Sequence, residues 1–251
     1  MPNHVKCRLK MDGLSSVQLF GKDERNEMYF DFNKIIPMPE ELDMISGSVE
    51  DNAIKAYMNY HGNPALQKMM DAKSKWNILA GNYEISEEEI SRCAESNNMT
   101  VDELIKAGER YCLNVFYHGF TTWYDWCCEY WGTKWNAYET NIVDEDTVEF
   151  CTAWSAPLPV VQQLSRMYPD KVVSIMWADE DRGCNTGEIA YQNGLVALDE
   201  CGNVIMHNTP DNLSNEAYEI YVKLWGESPC ISKDADGNWQ RNDCETCHGC
   251  D

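Results

Sequence analysis

A chain of 251 residues with 43% hydrophobic and 25% charged side chains has enough apolar material for a real core, so disorder is not its default state. Its 42 Asp+Glu against 20 Lys+Arg give a net charge of −22 and a pI near 4.5. Such a surface repels phosphate backbones and anionic lipid, which argues against direct nucleic-acid binding and membrane association; solubility is the first explanation of the charge, and imitation of nucleic acid or docking onto a basic protein the sharper one.

Met1 to Gly13 alternates charged and apolar residues without the continuous apolar run of a signal peptide, and no stretch approaches the ~18 apolar residues of a membrane span. A cytoplasmic protein is expected. The 12 cysteines fit that setting, because Cys7, Cys112, Cys127, Cys128 and Cys151 lie in apolar stretches where a reduced thiol acts as a small core residue.

In chain order, Val5, Cys7, Leu9 and Met11 alternate as a strand that stops at Asp12-Gly13. A second strand is expected from Met28 to Ile36, ended by Pro37-Met38-Pro39. Residues of about 48–118 read as an inserted helical subdomain. Ser48 with Asp51, Ser86 with Glu89 and Thr100 with Glu103 have capping-box spacing, and Asn63-Pro64 sets a cap before a first-turn proline. The short helices flanking Asn97-Asn98 have a helix-turn-helix spacing but too few basic residues to meet phosphates.

The next helix follows Thr122, with Trp123, Trp126, Cys127 and Tyr130 on one face and Gly132 as its stop. Strands are expected at Tyr138 to Val143 and Val148 to Trp154, then a helix opened by Pro159 and closed by Pro169. Lys171 to Trp177 and Gly187 to Tyr191 read as strands, Leu195 to Met206 as a hairpin turning at Cys201-Gly202-Asn203, and Ser214 to Trp225 as a final helix. The order implies an α+β domain over residues 1–210, an antiparallel sheet with two helices on one face, followed by a C-terminal helix and cysteine-rich tail at 211–251.

Met1-Pro2-Asn3, the run from Phe30 to Pro39, Trp131-Gly132-Thr133-Lys134-Trp135-Asn136, Thr152-Ala153-Trp154-Ser155-Ala156-Pro157, and later Pro169, Glu180, Gly183, Gly187 and Gly194 form a set of motifs. Together they resemble the YubB ferredoxin-like family of plasmid and phage proteins. The resemblance frames about residues 1–195 outside the inserted helices. It implies a ferredoxin-like fold and a mobile-element setting, and it hands over no catalytic residues.

Three constellations bear chemistry. Trp131, Thr133, Lys134, Trp135, Asn136, Thr152 and Trp154 place indoles beside an ammonium and an amide, the makings of a small-ligand pocket, although tryptophans beside a helix end more often pack a helix-to-sheet joint, and that structural reading comes first. In the tail, Cys244 and Cys247 have metal-knuckle spacing. His248 or Cys250 would add a third ligand, and Cys230 a fourth, for a tetrahedral zinc site. The same spacing would serve a redox pair or haem attachment, but no helix N-terminus lowers the thiol pKa and no export signal accompanies it. Incidental cysteines in a solvated tail are the plain alternative. Asp179, Glu180 and Asp181, with Glu188 nearby, would suit a divalent cation or acid/base work, although contiguous carboxylates in a turn are usually only solvated.

There is no G-x-S-x-G, no phosphate-cradling P-loop and no dinucleotide fingerprint, and the five histidines are scattered. The expectation is a non-enzymatic interaction protein with an acidic surface, drawn to a basic host protein. The alternatives are a zinc-binding accessory protein and a ligand-binding or catalytic Trp/Lys/Asn pocket.

Overall fold

The computed structural model describes residues 2–74 and 79–242. Its elements are β1 (His4–Lys10), β2 (Phe20–Lys22), β3 (Met28–Phe30), α1 (Ser48–His61), α2 (Pro64–Lys73), α3 (Glu87–Ser96), α4 (Val101–His118), α5 (Trp123–Tyr130), β4 (Tyr138–Ile142), β5 (Thr147–Ala153), α6 (Leu158–Met167), β6 (Val173–Asp179), β7 (Gly187–Gln192), β8 (Leu195–Val196), β9 (His207–Asn208), α7 (Asn215–Trp225), β10 (Ile231–Lys233) and β11 (Trp239–Arg241). They form two compact units, one of Met1–Pro37 with Cys128–Asp251 and one of Met38–Cys127.

The first unit carries an antiparallel sheet in the order β4-β5-β1-β6-β7-β8, with β9 also on β7. The chain is an α+β protein whose four strands β4-β5-β1-β6 have the ferredoxin-like arrangement. β1 lies at the centre, paired on both sides, and its alternation sets which face is buried in the core. Val5, Cys7 and Leu9 are fully buried and pair with Thr152, Phe150 and Val148 of β5 on one side and Asp179, Trp177 and Ile175 of β6 on the other. Each apolar side chain so buried contributes roughly 1.5–3 kcal/mol. α6 carries the chain from β5 to β6, burying Val160, Val161 and Leu164. It is tied to the β7–β8 turn, where the Gly194 N–H donates to Ser165 Oγ (2.9 Å) and Gln162 Nε2 donates to the Gly194 carbonyl (2.8 Å).

The opposite side of β1 and β6, with Lys6, Arg8, Met176 and Ala178, is covered as well. Tyr218, Ile220, Tyr221 and Leu224 of α7 cluster with Ala178 and Ile231. Trp225 Nε1 donates to the Ala178 carbonyl (3.0 Å) and Arg8 Nη2 to the Lys223 carbonyl (2.9 Å). Residues 211–251, set apart in the sequence reading, therefore contribute α7 to the same unit as the sheet.

The strand expected from Met28 to Ile36 is much shorter. It pairs only from Met28 to Phe30, with β2, in a hairpin separate from the main sheet. Asp31 ends it, because its carboxylate accepts from the Asn33 N–H (3.1 Å) and opens a 3₁₀ turn at Phe32–Lys34. Phe30 then stacks on Phe150 of β5, and Phe32 meets both Phe150 and Trp131 edge to face.

The second unit is helical. The sequence placed its helices at about 48–118, and the compact unit runs over Met38–Cys127. Asn63, Ser86 and Thr100 cap α2, α3 and α4 as their spacing requires. α1 differs: its cap is Gly47, whose N–H donates to Glu50 (3.1 Å), rather than Ser48 with Asp51. Ala53, Ile54, Ala56, Met70, Ile90, Leu104, Tyr111 and Val115 form the core, and α1 lies so close to α4 that a Cβ on Gly108 would fall on the Ala53 carbonyl.

Candidate functional site

α5 ends at Tyr130, and Gly132 turns the chain with a left-handed φ of 75°. A Cβ there would also lie 2.7 Å from Pro159 Cδ, so glycine is required twice over. The turn then spends most of the polar groups singled out in the sequence on its own architecture. Trp131 is buried and its Nε1 donates to the Ile36 carbonyl (2.9 Å). Thr133 Oγ1 donates to the Ala153 carbonyl (2.7 Å) and accepts from its N–H (3.2 Å), fastening the turn to β5. Thr152 is fully buried, its hydroxyl donating to the Ser155 carbonyl (2.9 Å). Asn136 accepts from the N–H groups of Phe32 and Ala137 (both 2.9 Å) and donates to Asp31 (2.9 Å). These four act as struts.

The remaining three converge on one another. Lys134 Nζ stands 4.7 Å from the ring centroids of both Trp135 and Trp154. Trp154 is 42% exposed and has a φ of 72°, a conformation that bulky L-residues avoid. Its peptide groups are gripped on both sides: its N–H donates to the Asn3 carbonyl (3.0 Å) and its carbonyl accepts from Asn185 Nδ2 (2.9 Å).

Those two asparagines also organise the carboxylate turn. Asn3 Nδ2 donates to Asp179 (3.2 Å) and Asp181 (2.9 Å), and Asn185 Nδ2 lies 3.3 Å from the other Asp179 oxygen. Asp179 is buried, which raises its pKa above the usual carboxylate value. Glu180 accepts from the His4 N–H (2.8 Å), whereas Glu188 stands on β7 opposite Met176, outside this cluster. His4 Nδ1 meets the Tyr138 hydroxyl at 2.7 Å, and burial, then nearby anionic groups, push the Tyr138 phenol upward. Among the described residues no three His, Cys, Asp or Glu side chains are grouped to hold a metal ion.

Cys244, Cys247, His248 and Cys250 lie outside the described residues. Cys230 is buried just before β10, and the Asn242 N–H donates to its carbonyl (2.8 Å). Asp234 of the β10–β11 turn accepts from the N–H groups of Asp236 (3.0 Å) and Asn238 (2.8 Å), an ordinary turn-forming role.

One site had no sequence signal. A groove of about 830 Å³ runs between the β2–β3 hairpin and β4. Lys22, Asp23, Glu24, Glu27, Met28 and Tyr29 line one wall, and residues 136–140 line the other. The walls are fixed by donation from the Phe30 N–H to Thr140 Oγ1 (3.0 Å) and from the Phe32 N–H to Asn136. A register shift in β4, with Glu139 at φ 50°, interrupts the pairing of this terminal strand beside the groove. The residues that build it are over 100 positions apart in the chain.

In the helical unit, Glu50 accepts from Thr121 Oγ1, Ser46 Oγ (3.1 Å) and the Gly47 N–H. Burial, and then repulsion from Glu50, push the Asp125 carboxyl up to about 6.

Residues 130–220 match the family model described as the ferredoxin-like domain in Api92-like protein. A crystal structure of a protein api92 from Yersinia pseudotuberculosis is similar over 84% of this chain and 100% of its own, at 10% identity and a TM-score of 0.36. That likeness is too distant to add to the family match. No curated protein matches the chain. The expected kinship with the YubB family is thereby corrected: the matching domain is the Api92-like one, and nothing points to YubB. No helix among the described residues is long and apolar enough to cross a membrane.

Proposed function

We propose that this chain is a non-enzymatic recognition module that takes a basic protein segment into the groove between the β2–β3 hairpin and β4. One observation carries the reading: Asp23, Glu24, Glu27 and Glu139 face Lys22 alone among the charged groups lining it, with Met28 and two tyrosine rings offering apolar contact. Asp23 is partly spent, since it accepts from the N–H groups of Arg25 (2.9 Å) and Glu27 (2.8 Å). Glu24, Glu27 and Glu139 supply the remaining negative field. In a chain of net charge −22 this favours Lys- and Arg-bearing partners, steers their approach and weakens with salt.

A fluorescent lysine-rich peptide titrated by anisotropy tests the site. Glu24→Lys/Glu27→Lys/Glu139→Lys is expected to weaken binding about tenfold or more, as is raising salt from about 50 to about 300 mM. The same reversal at Glu87 and Glu88, exposed on α3, should have a much smaller effect. Equal losses from both sets would reduce the groove to bulk charge and end the proposal.

A second reading, a zinc site, is favoured by the position of Asn242, two residues before Cys244 and hydrogen-bonded to buried Cys230. Elemental analysis of protein purified without added metal is expected to find zinc near one ion per chain, lost on Cys230→Ser. A trace amount would remove this reading.

A further inference from the structure

We propose that Trp135 and Trp154 are two walls of a cage for an organic ammonium ion, a quaternary or methylated amine, in which Lys134 is the built-in occupant. The proposal stands apart from the groove and does not depend on it.

The two rings share one focus. A single nitrogen, Lys134 Nζ, lies 4.7 Å from both centroids, inside the distance at which the negative face of an indole attracts a cation. Two ring faces presented to one point make that point favourable for positive charge and unfavourable for an anion. Methylated ammonium ions suit such a place better than a bare lysine, because they are weakly hydrated and lose less on leaving water.

The second observation is the cost at which one wall is held. The chain has other tryptophans that serve as core: Trp131 is 3% exposed and Trp177 6%. Trp154 instead shows 42% of its surface and sits at a φ of 72°. A side chain needed only for burial gains nothing from that backbone, which is disfavoured for any residue with a Cβ. The conformation persists because Asn3 and Asn185 grip the two peptide groups flanking the ring. Both amides are themselves braced by Asp179, and Asn3 also by Asp181. The carboxylate turn thus anchors both holders of the indole: Asn185, whose side-chain amide makes the contact, and Asn3, whose backbone carbonyl makes it while its side-chain amide is tied to Asp179 and Asp181.

Vacating the cage tests it. Lys134→Met keeps an unbranched apolar stem and removes the charge. In two-dimensional NMR spectra, tetramethylammonium is expected to shift the Trp135 and Trp154 indole N–H resonances saturably in Lys134→Met. Binding should be about tenfold weaker in the parent chain, where the lysine competes. Lys134→Met/Trp154→Gly should show no saturable shift at Trp135. Glycine suits a φ of 72°, so this variant is expected to fold, and a thermal melt checks it. A trimethyl-lysine peptide in parallel separates the sources: tighter binding than tetramethylammonium assigns a modified protein tail, equal binding a free amine. No saturable shift in Lys134→Met with either probe, or a Trp135 shift that survives Trp154→Gly, would overturn the proposal.

Discussion

Gly108→Ala is expected to destabilise the helical unit by about 3 kcal/mol. On an isolated helix the same change would stabilise by roughly 1 kcal/mol, because alanine is the better helix former. The crossing of α1 and α4 reverses the sign. The new Cβ would meet the Ala53 carbonyl and lie 2.6 Å from Tyr57 Cβ. The first obstacle is backbone of a neighbouring helix and cannot rotate away. The helices would have to separate, loosening the contacts of Ala53, Leu104 and Tyr111 in the surrounding core. Urea unfolding followed by far-ultraviolet circular dichroism reads the outcome. A neutral or stabilising result would show that α1 and α4 do not cross this closely.

Asp125→Asn is expected to stabilise the protein at pH 8 and to leave it nearly unchanged at pH 4. The Asp125 carboxyl is pushed up to about 6 by burial first and by Glu50 second. A carboxyl whose pKa is raised on folding carries no penalty while it is protonated in both states, below about 4. As pH rises through the window from about 4 to about 6, the unfolded chain releases the proton more readily and stability declines. Above that window the full penalty of the charged form remains. A two-unit rise corresponds to roughly 2.7 kcal/mol. Asp125 is only half-buried and partly screened by solvent, so a gain of about 1–2 kcal/mol is expected for the amide at pH 8. Denaturation series at the two pH values separate this from packing, since equal gains at both would make the effect steric.

The parts of the fold that could be read from sequence are those whose chemistry is local. Asn63-Pro64, Ser86 with Glu89 and Thr100 with Glu103 mark helix starts because cap and acceptor lie within one turn. The alternation of Val5, Cys7 and Leu9 marks β1 for the same reason. At α1 the spacing points one residue too far, because Ser48 looks like a better cap than Gly47, while the decisive acceptor is Glu50. Asp31 was a legible signal passed over: an aspartate two residues before an asparagine in a Phe-rich run offers the backbone a turn in place of a ladder.

The sites were less legible. Trp131, Thr133, Asn136 and Thr152 look like ligand-binding groups in the sequence, yet their hydrogen bonds hold the turn to β5 and to the segment after β3. This explains why those motifs pointed to a ferredoxin-like fold while naming the wrong family: they report how a helix end joins a strand. The left-handed backbone of Trp154 follows from Asn3 and Asn185, which are remote in sequence. The groove likewise exists only once residues 22–29 meet residues 136–140, and no local pattern announces that.

The central place of β1 has a consequence for how the chain matures. Val5 and its partner Thr152 are separated by 147 residues, and the neighbour on the other side, β6, comes later still. A ribosome delivering residues from the N-terminus makes the middle of the sheet first and both its flanks last. The helices of Met38–Cys127 form contacts within their own stretch and are expected to settle during synthesis. Until β5 and β6 emerge, β1 must wait without its partners, an interval in which a nascent chain is open to chaperones and to misassociation.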